Sequence, residues 1–435
     1  MNKSIFLSSF QKFVKVESFA GMLLFGTTII ALIWANSYLG DFYEKLWQLQ
    51  IGFSFHNFTL KKPLILWIND GLMSIFFFVI GLELKREILI GELDTVKKAA
   101  FPFVAALGGI LVPVSLFLLF NQNPETAKGW GIPMATDIAF ALAILISLGN
   151  KVPLSLKVFL TAFAIIDDIA AVLVIAIFYS ISINWLLVFY GISIIIFLGI
   201  FYHKKKYSFS IGMILGIVVW FLFLKSGIHP TIAGVLLAFT IPLKREIEVE
   251  SFSKQLYSMS KSILTDSVKE NKHLLSKKTL KSISNLSDLI SGVNSPLQHL
   301  EQKLHGLIGY FILPLFALAN AGVVISTSFS FDFSLMLNIA LSLFVGKFVG
   351  ITFFSYLGVK LKITELPSGI KFNQILGIAA IAGVGFTMSI FIVNLAFSGD
   401  LISINSSKVG IIIGSLTSGI LGYLVLRLTN KNYNI

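Results

Sequence analysis

The chain has 435 residues, of which 56% are hydrophobic and only 13% charged, with a mean hydropathy of +0.86. A soluble domain carries about twice that share of charge, so a water-soluble globular protein is excluded. The net charge of +12 comes from bases scattered over separate connections, which speaks against nucleic acid as a partner, and the absence of cysteine removes disulfides and thiolate metal sites.

Apolar runs of about 17 to 25 residues, the length that crosses a hydrocarbon core as helix, number about twelve. They lie at residues 19–36, 64–84, 100–120, 131–148, 154–180, 183–201, 208–224, 228–242, 304–325, 333–357, 372–398 and 407–428. The runs are continuously apolar, without the alternation of barrel strands, so an all-α membrane protein is predicted. Before the first run, IFLSSFQKFVKVESF mixes phenylalanine and lysine at helical spacing and reads as a surface-lying segment. The first run ends in IWANS with no small-residue cleavage site, so it reads as retained rather than removed.

Two connections stand out. Residues 37–63 contain IGFSFHNFTLKK, which fits either a short hairpin near 51–60 or an interfacial loop. Residues 244–303 are rich in Ser, Lys and Glu and read as a polar insertion, a solvated linker with SKQLYSMSKSILTDSVKE as its one amphipathic candidate. The chain thus divides into residues 1–243 with eight spans, the insertion 244–303, and residues 304–435 with four.

Lysine and arginine set the topology. With a cytoplasmic amino terminus, the inner side holds Lys3, Lys12, Lys15, Lys85, Arg86, Lys97, Lys98, Lys204, Lys205, Lys206, Lys360, Lys362 and Lys371, and the outer loops hold few beyond Lys45, Lys61 and Lys62. This follows the positive-inside rule and puts both termini in the cytoplasm.

Three acids stand inside apolar runs: Asp137 in GIPMATDIAFALAIL, and Asp167 and Asp168 in FLTAFAIIDDIAAVLVIAIF. A carboxylate at the bilayer centre costs about 2.5 to 3.5 kcal/mol on insertion scales, so an ion or proton site is the default reading. Pro133 stands four residues before Asp137 and breaks regular helix there. GIAAIAGVGFTMSIFI places Gly383 and Gly385 in the middle of a second run, where helix is weak. Glycines in a single span usually serve close packing. Here each interrupted run neighbours a run with a buried charge, Lys347 in LSLFVGKFVGITFF being the second. Paired interruptions point to a transporter site between inverted repeats, a rule whose worked examples include the NhaA antiporter.

Asp167 and Asp168 diverge by about 100° on a helix and need different partners. Lys347 is the natural counter-charge for one, which leaves the other and Asp137 for a hard cation, with Thr136 supplying a hydroxyl. Oxygen ligands suit sodium or lithium. Carboxylates held away from water are neutralised by a proton or by a cation, and that competition gives antiport.

The chain resembles the NhaA-type bacterial sodium–proton antiporter family. The likeness rests on IALIWANS, LWINDGLMSIFFFVIGLELKRE, GWGIPMATDIAFALAIL, AFAIIDDIAAV, SGIHPTIAGV, LPLFALANAG, VGKFVG and GIAAIAGVGFTMSIFI, nearly the whole chain outside residues 244–295. It implies twelve helices with two crossed, interrupted spans. It makes Asp137 and Asp168 the cation and proton ligands, with Asp167 facing Lys347, and implies electrogenic exchange of one cation for two protons. It further implies a multi-pass protein of the bacterial inner membrane, a role in pH and sodium homeostasis, no cofactor beyond the transported ions, and a homodimer joined by the 51–60 hairpin. Activation by alkaline pH is carried over to Glu83, Arg86 and Glu301, and more weakly to His229. The residues themselves also read as a charged helix end and a structural histidine. Leu297, Gln298 and His299 stand where the family has a lysine–arginine pair before Glu301, so activity at lower pH than is typical is expected.

Rivals are an exchanger of another monovalent cation such as potassium, an intramembrane aspartyl protease, which lacks its Gly-x-Gly-Asp signature here and leaves Lys347 unexplained, and a channel, for which no filter or charged ring is present.

Overall fold

The computed structural model describes residues 3–55, 58–91, 93–149, 152–180, 182–204, 207–245, 247–267, 281, 284–286, 289, 293, 295–324 and 331–429. The side chains of residues 3–18, 53, 55, 58–60, 249 and 261–267 lie outside that description, so the amphipathic reading of the amino-terminal segment falls outside it too.

Backbone polar groups in hydrocarbon must be satisfied within their own segment, and the apolar runs accordingly form helices. In chain order these are α1 (Lys3–Ala35), α2 (Gly40–Gln48), α3 (Leu64–Ile90), α4 (Val96–Phe120), a 3₁₀ segment (Ala127–Met134), α5 (Ile138–Ser147), α6 (Leu154–Phe178), α7 (Trp185–Lys204), α8 (Phe209–Ser226) and α9 (Thr231–Ala238). After them come α10 (Val249–Ser267), α11 (Pro296–Asn320), α12 (Phe333–Lys360), α13 (Phe372–Ile381), α14 (Phe386–Ala396) and α15 (Leu401–Thr429). Among the described residues nine helices are long and apolar enough to cross a membrane, or up to eleven with each bent pair taken as one span. The run predicted over 228–242 is the eight-residue α9, short because His229 and Pro230 precede it and a turn follows at Phe239.

Gln50–Phe55 (β1) and Phe58–Pro63 (β2) pair antiparallel, Gln50 opposite Pro63 and Phe55 opposite Phe58. Within the polar stretch, α10 is helical, and α11 starts at Pro296, earlier than the apolar run at 304. Its first turns bury Leu297 and Leu300 among polar neighbours, a spacing too sparse to register as an apolar run.

One core joins Leu24, Met73, Phe77, Ile132, Phe316 and Phe391, and a second joins Phe101, Leu142, Phe163, Ile351, Ile378 and Leu426. The approach of α4 to α12 depends on two glycines: a Cβ on Gly108 would collide with the carbonyl of Gly350, and one on Gly350 with that of Gly108. Small residues at helix contacts are how backbones come this close in lipid.

Candidate functional site

Both predicted interruptions are present. The 3₁₀ segment containing Pro133 ends at Met134, and residues 135–137 run extended before α5. The second break separates α13 from α14, which are bent by 45°. The two breaks meet. The Asp137 amide donates to the Val384 carbonyl at 2.7 Å, the Thr136 hydroxyl to the Ala382 carbonyl at 2.8 Å, and the Ser389 hydroxyl to the Ile132 carbonyl at 2.8 Å. Groups freed by each interruption are thereby satisfied by the other, as burial demands.

Gly385 lets the second break approach the first, and Gly383 lets it approach α12. A Cβ on Gly383 would lie 2.8 Å from the Leu343 carbonyl, and one on Gly385 2.9 Å from the Ala135 carbonyl. Their role is close approach as well as weak helix.

Asp137 caps two helices at once. Its Oδ1 accepts from the Phe140 amide at 3.1 Å, at the start of α5. Its Oδ2 accepts from the Thr387 amide at 3.0 Å and the Thr387 hydroxyl at 2.5 Å, at the start of α14. Two helix N-termini thus aim their positive ends at one carboxylate. Thr387 was not singled out from sequence. The only signal for it was its place just after the glycines of GVGFT, a usual position for a residue that serves a helix start.

On α6, Asp167 and Asp168 are 0% and 3% exposed. They have different surroundings. Lys347 donates to Asp167 Oδ2 at 2.6 Å and to the Thr136 hydroxyl at 2.9 Å, and its ammonium lies 5.6 Å from the centre of the Phe163 ring. A π turn, Ser342–Gly346, directly precedes Lys347 in α12; such turns hold an extra residue and recur at functional sites. The Oδ1 atoms of both acids are buried without a hydrogen bond, but only Asp167 has a counter-charge; among the described residues Asp168 has no partner comparable to Lys347. It is within electrostatic reach of Asp167, Asp137, Glu83 and Lys347. Thr136, proposed from sequence as a cation ligand, has its proton on the Ala382 carbonyl and accepts from Lys347.

Among the described residues no three His, Cys, Asp or Glu side chains converge as a resident metal site. The arrangement is one acid paired with a lysine, Asp167 with Lys347, one acid held at a helix junction, Asp137, and one buried acid without a counter-charge, Asp168.

Further along α3, Arg86 Nε donates to both Glu301 oxygens at 3.1 Å, and its NH1 lies 2.8 Å from Glu87. His305, unnoticed in the sequence, brings Nδ1 to 3.7 Å from Glu83. These residues form one cluster. His229 does not belong to it: its Nε2 faces Asp70 at 3.6 Å, where Lys62 also binds at 2.8 Å, and its Nδ1 meets the Thr231 hydroxyl at 2.8 Å. Asp70 and Glu83 are thirteen residues apart on α3, roughly 20 Å.

The family model described as Na+/H+ antiporter 1 matches residues 11–426. A Na+/H+ antiporter NhaA of Wolinella succinogenes is 45% identical over 416 residues, 95% of this chain and 92% of the relative. One of Oleidesulfovibrio alaskensis is 43% identical over 427 residues, covering 97% and 94%. One of Helicobacter pylori is 41% identical over 423 residues, covering 97% and 95%.

Proposed function

The chain belongs to the Na+/H+ antiporter 1 family and is a multi-pass sodium–proton antiporter; on that premise we propose that Asp168 is the acid that alternates between proton and cation. The observation that carries this is that Lys347 neutralises Asp167, whereas Asp168 beside it is buried with an unpaired Oδ1 and, among the described residues, no cationic side chain bound to it. A buried carboxylate without a partner is costly unless a proton or a metal ion occupies it. Sodium arriving from water brings that neutralisation and displaces the proton.

Asp137 is read as the second ligand. Its Oδ2 already accepts two bonds from Thr387, so an ion bound at that oxygen takes the place of the hydroxyl, and this exchange couples occupancy to the junction of the two breaks. That junction is the element expected to move between inward-open and outward-open forms, with the two halves of the chain acting as inverted repeats whose broken spans cross. Lys347 stays with Asp167 as counter-charge.

The exchanger is a secondary active transporter driven by the proton gradient, trading one sodium or lithium for two protons. It works in a bacterial inner membrane with both termini in the cytoplasm, as a homodimer joined through β1 and β2, and serves pH and sodium homeostasis. Potassium is the competing substrate reading. Liposomes carrying a sodium gradient test the stoichiometry: net charge movement makes the rate depend on an imposed membrane potential, and indifference to that potential would rule out unequal exchange.

A further inference from the structure

The polar stretch leaves the helix bundle and returns to it at one place. Leu243, Lys244 and Arg245 on the way out, Ser295 and Gln298 on the way back, and Ile90 at the end of α3 line a cleft of about 440 Å³. It opens at the N-terminus of α11, a helix of 25 residues.

The first turn of α11 is incompletely capped. Pro296 has no N–H to offer, and Leu297 donates to the Pro242 carbonyl at 3.2 Å. Ser295 holds the N-cap position and is 2% exposed, yet its side chain makes no capping bond. Among the described residues its Oγ has no hydrogen-bond partner. A serine there ordinarily accepts from a first-turn amide, and leaving a buried hydroxyl unpaired costs about 1 to 3 kcal/mol. Ser295 is among the residues that line the cleft, so its buried hydroxyl stands next to the space and is available to donate a hydrogen bond to an anion seated there.

Charge points to the ligand's sign. Lys244 and Arg245 are exposed on the rim and make no salt bridge with a described residue. A helix N-terminus presents positive potential and first-turn donors. Arginine, lysine, a serine hydroxyl and a helix start are the donor set of phosphate sites. Ile90 and Leu243 add an apolar wall.

We propose that this cleft is a binding site for a phosphate-bearing anion, held by the Ser295 hydroxyl and the α11 N-terminus and neutralised by Lys244 and Arg245. A phospholipid headgroup and a free phosphate share this chemistry. Occupancy would pin the two ends of the polar stretch together. It would also reach the exchanger's charged cluster, since Gln298 is one turn before Glu301 and Ile90 one turn after Arg86.

The test uses the full chain in detergent, following thermal unfolding while potassium phosphate or a short-chain phosphatidylglycerol is titrated in, against potassium chloride at matched ionic strength. Saturable stabilisation by at least one phosphate probe is expected. The Lys244→Gln/Arg245→Gln double variant, altered only at exposed side chains, should bind about tenfold more weakly or worse, and Ser295→Ala about three- to tenfold more weakly. Saturation by inorganic phosphate identifies a soluble anion as the source, and saturation by the lipid alone identifies a headgroup. Absence of a saturable response to both probes, or equal binding by the wild type and the double variant, overturns the proposal.

Discussion

Lys347 and Asp167 form an ion pair at 2.6 Å in which both side chains are 0% exposed. Removing one partner of such a pair strands the other charge, which costs about 3 to 5 kcal/mol, whereas replacing both with apolar groups is often near neutral. Lys347→Met should therefore lower the unfolding temperature of the detergent-solubilised protein sharply, and adding Asp167→Leu should restore most of the loss. A double variant as unstable as the single one would mean that the pair is not what the site is built around.

The meeting of the two breaks makes a sharp prediction about glycine. Gly385→Ala drives a Cβ towards the Ala135 carbonyl, 2.9 Å away in the first break, and overpacking of this kind costs about 1 to 3 kcal/mol. Gly199 on α7 has nothing within 4 Å of its would-be Cβ, so Gly199→Ala should be harmless. Sodium-dependent exchange in everted vesicles should fall at least about tenfold for the first and stay unchanged for the second. Equal activity in both would deny the junction its importance.

Thr387 is expected to matter through Asp137. Thr387→Val keeps the amide bond and removes the hydroxyl, whose bond to a carboxylate is worth about 1.5 to 3 kcal/mol. The variant should fold and insert, and its apparent sodium affinity should change about tenfold, as read from the half-maximal concentration in vesicles. Thr387→Ser should return it to the wild-type value. An unchanged half-maximal concentration in Thr387→Val would make the hydroxyl a bystander.

The cluster of Glu83, Arg86, Glu87, Glu301 and His305 should set the pH profile. Arg86 holds both oxygens of Glu301, and no lysine–arginine pair precedes Glu301 in this chain. Exchange in proteoliposomes is expected to persist below neutral pH, and Glu301→Gln should move the midpoint by about half a pH unit or more. Silence below neutrality removes the first expectation, and superimposable profiles remove the second.

The membrane class and the buried charges were legible because both are statements about solvation: continuous apolar runs need lipid, and a carboxylate among them needs a reason. The breaks were legible from Pro133 and the glycines for a similar local reason. The sequence hid the features that depend on distant partners. Thr387 reaches Asp137 across 250 positions, and nothing in a local window links the two. His305 looked like one more polar residue near a helix start until it faced Glu83. His229 read as a structural histidine and only weakly as a pH sensor, and its partner Asp70, at the other end of α3 from Glu83, was not visible from its own stretch. The π turns at Trp67–Leu72, Ile308–Ile312 and Ser342–Gly346 each add one residue to a helical turn, a change too small to disturb apolar periodicity but enough to re-aim the side chains of the next turn.

The most direct measurement is proton release from the detergent-solubilised protein on adding sodium. The wild type should release protons on addition of sodium, and Asp168→Asn, which cannot ionise at the open position, should release none while keeping the wild-type unfolding temperature. Release of equal size from Asp168→Asn would contradict the assignment of Asp168 as the exchanging acid.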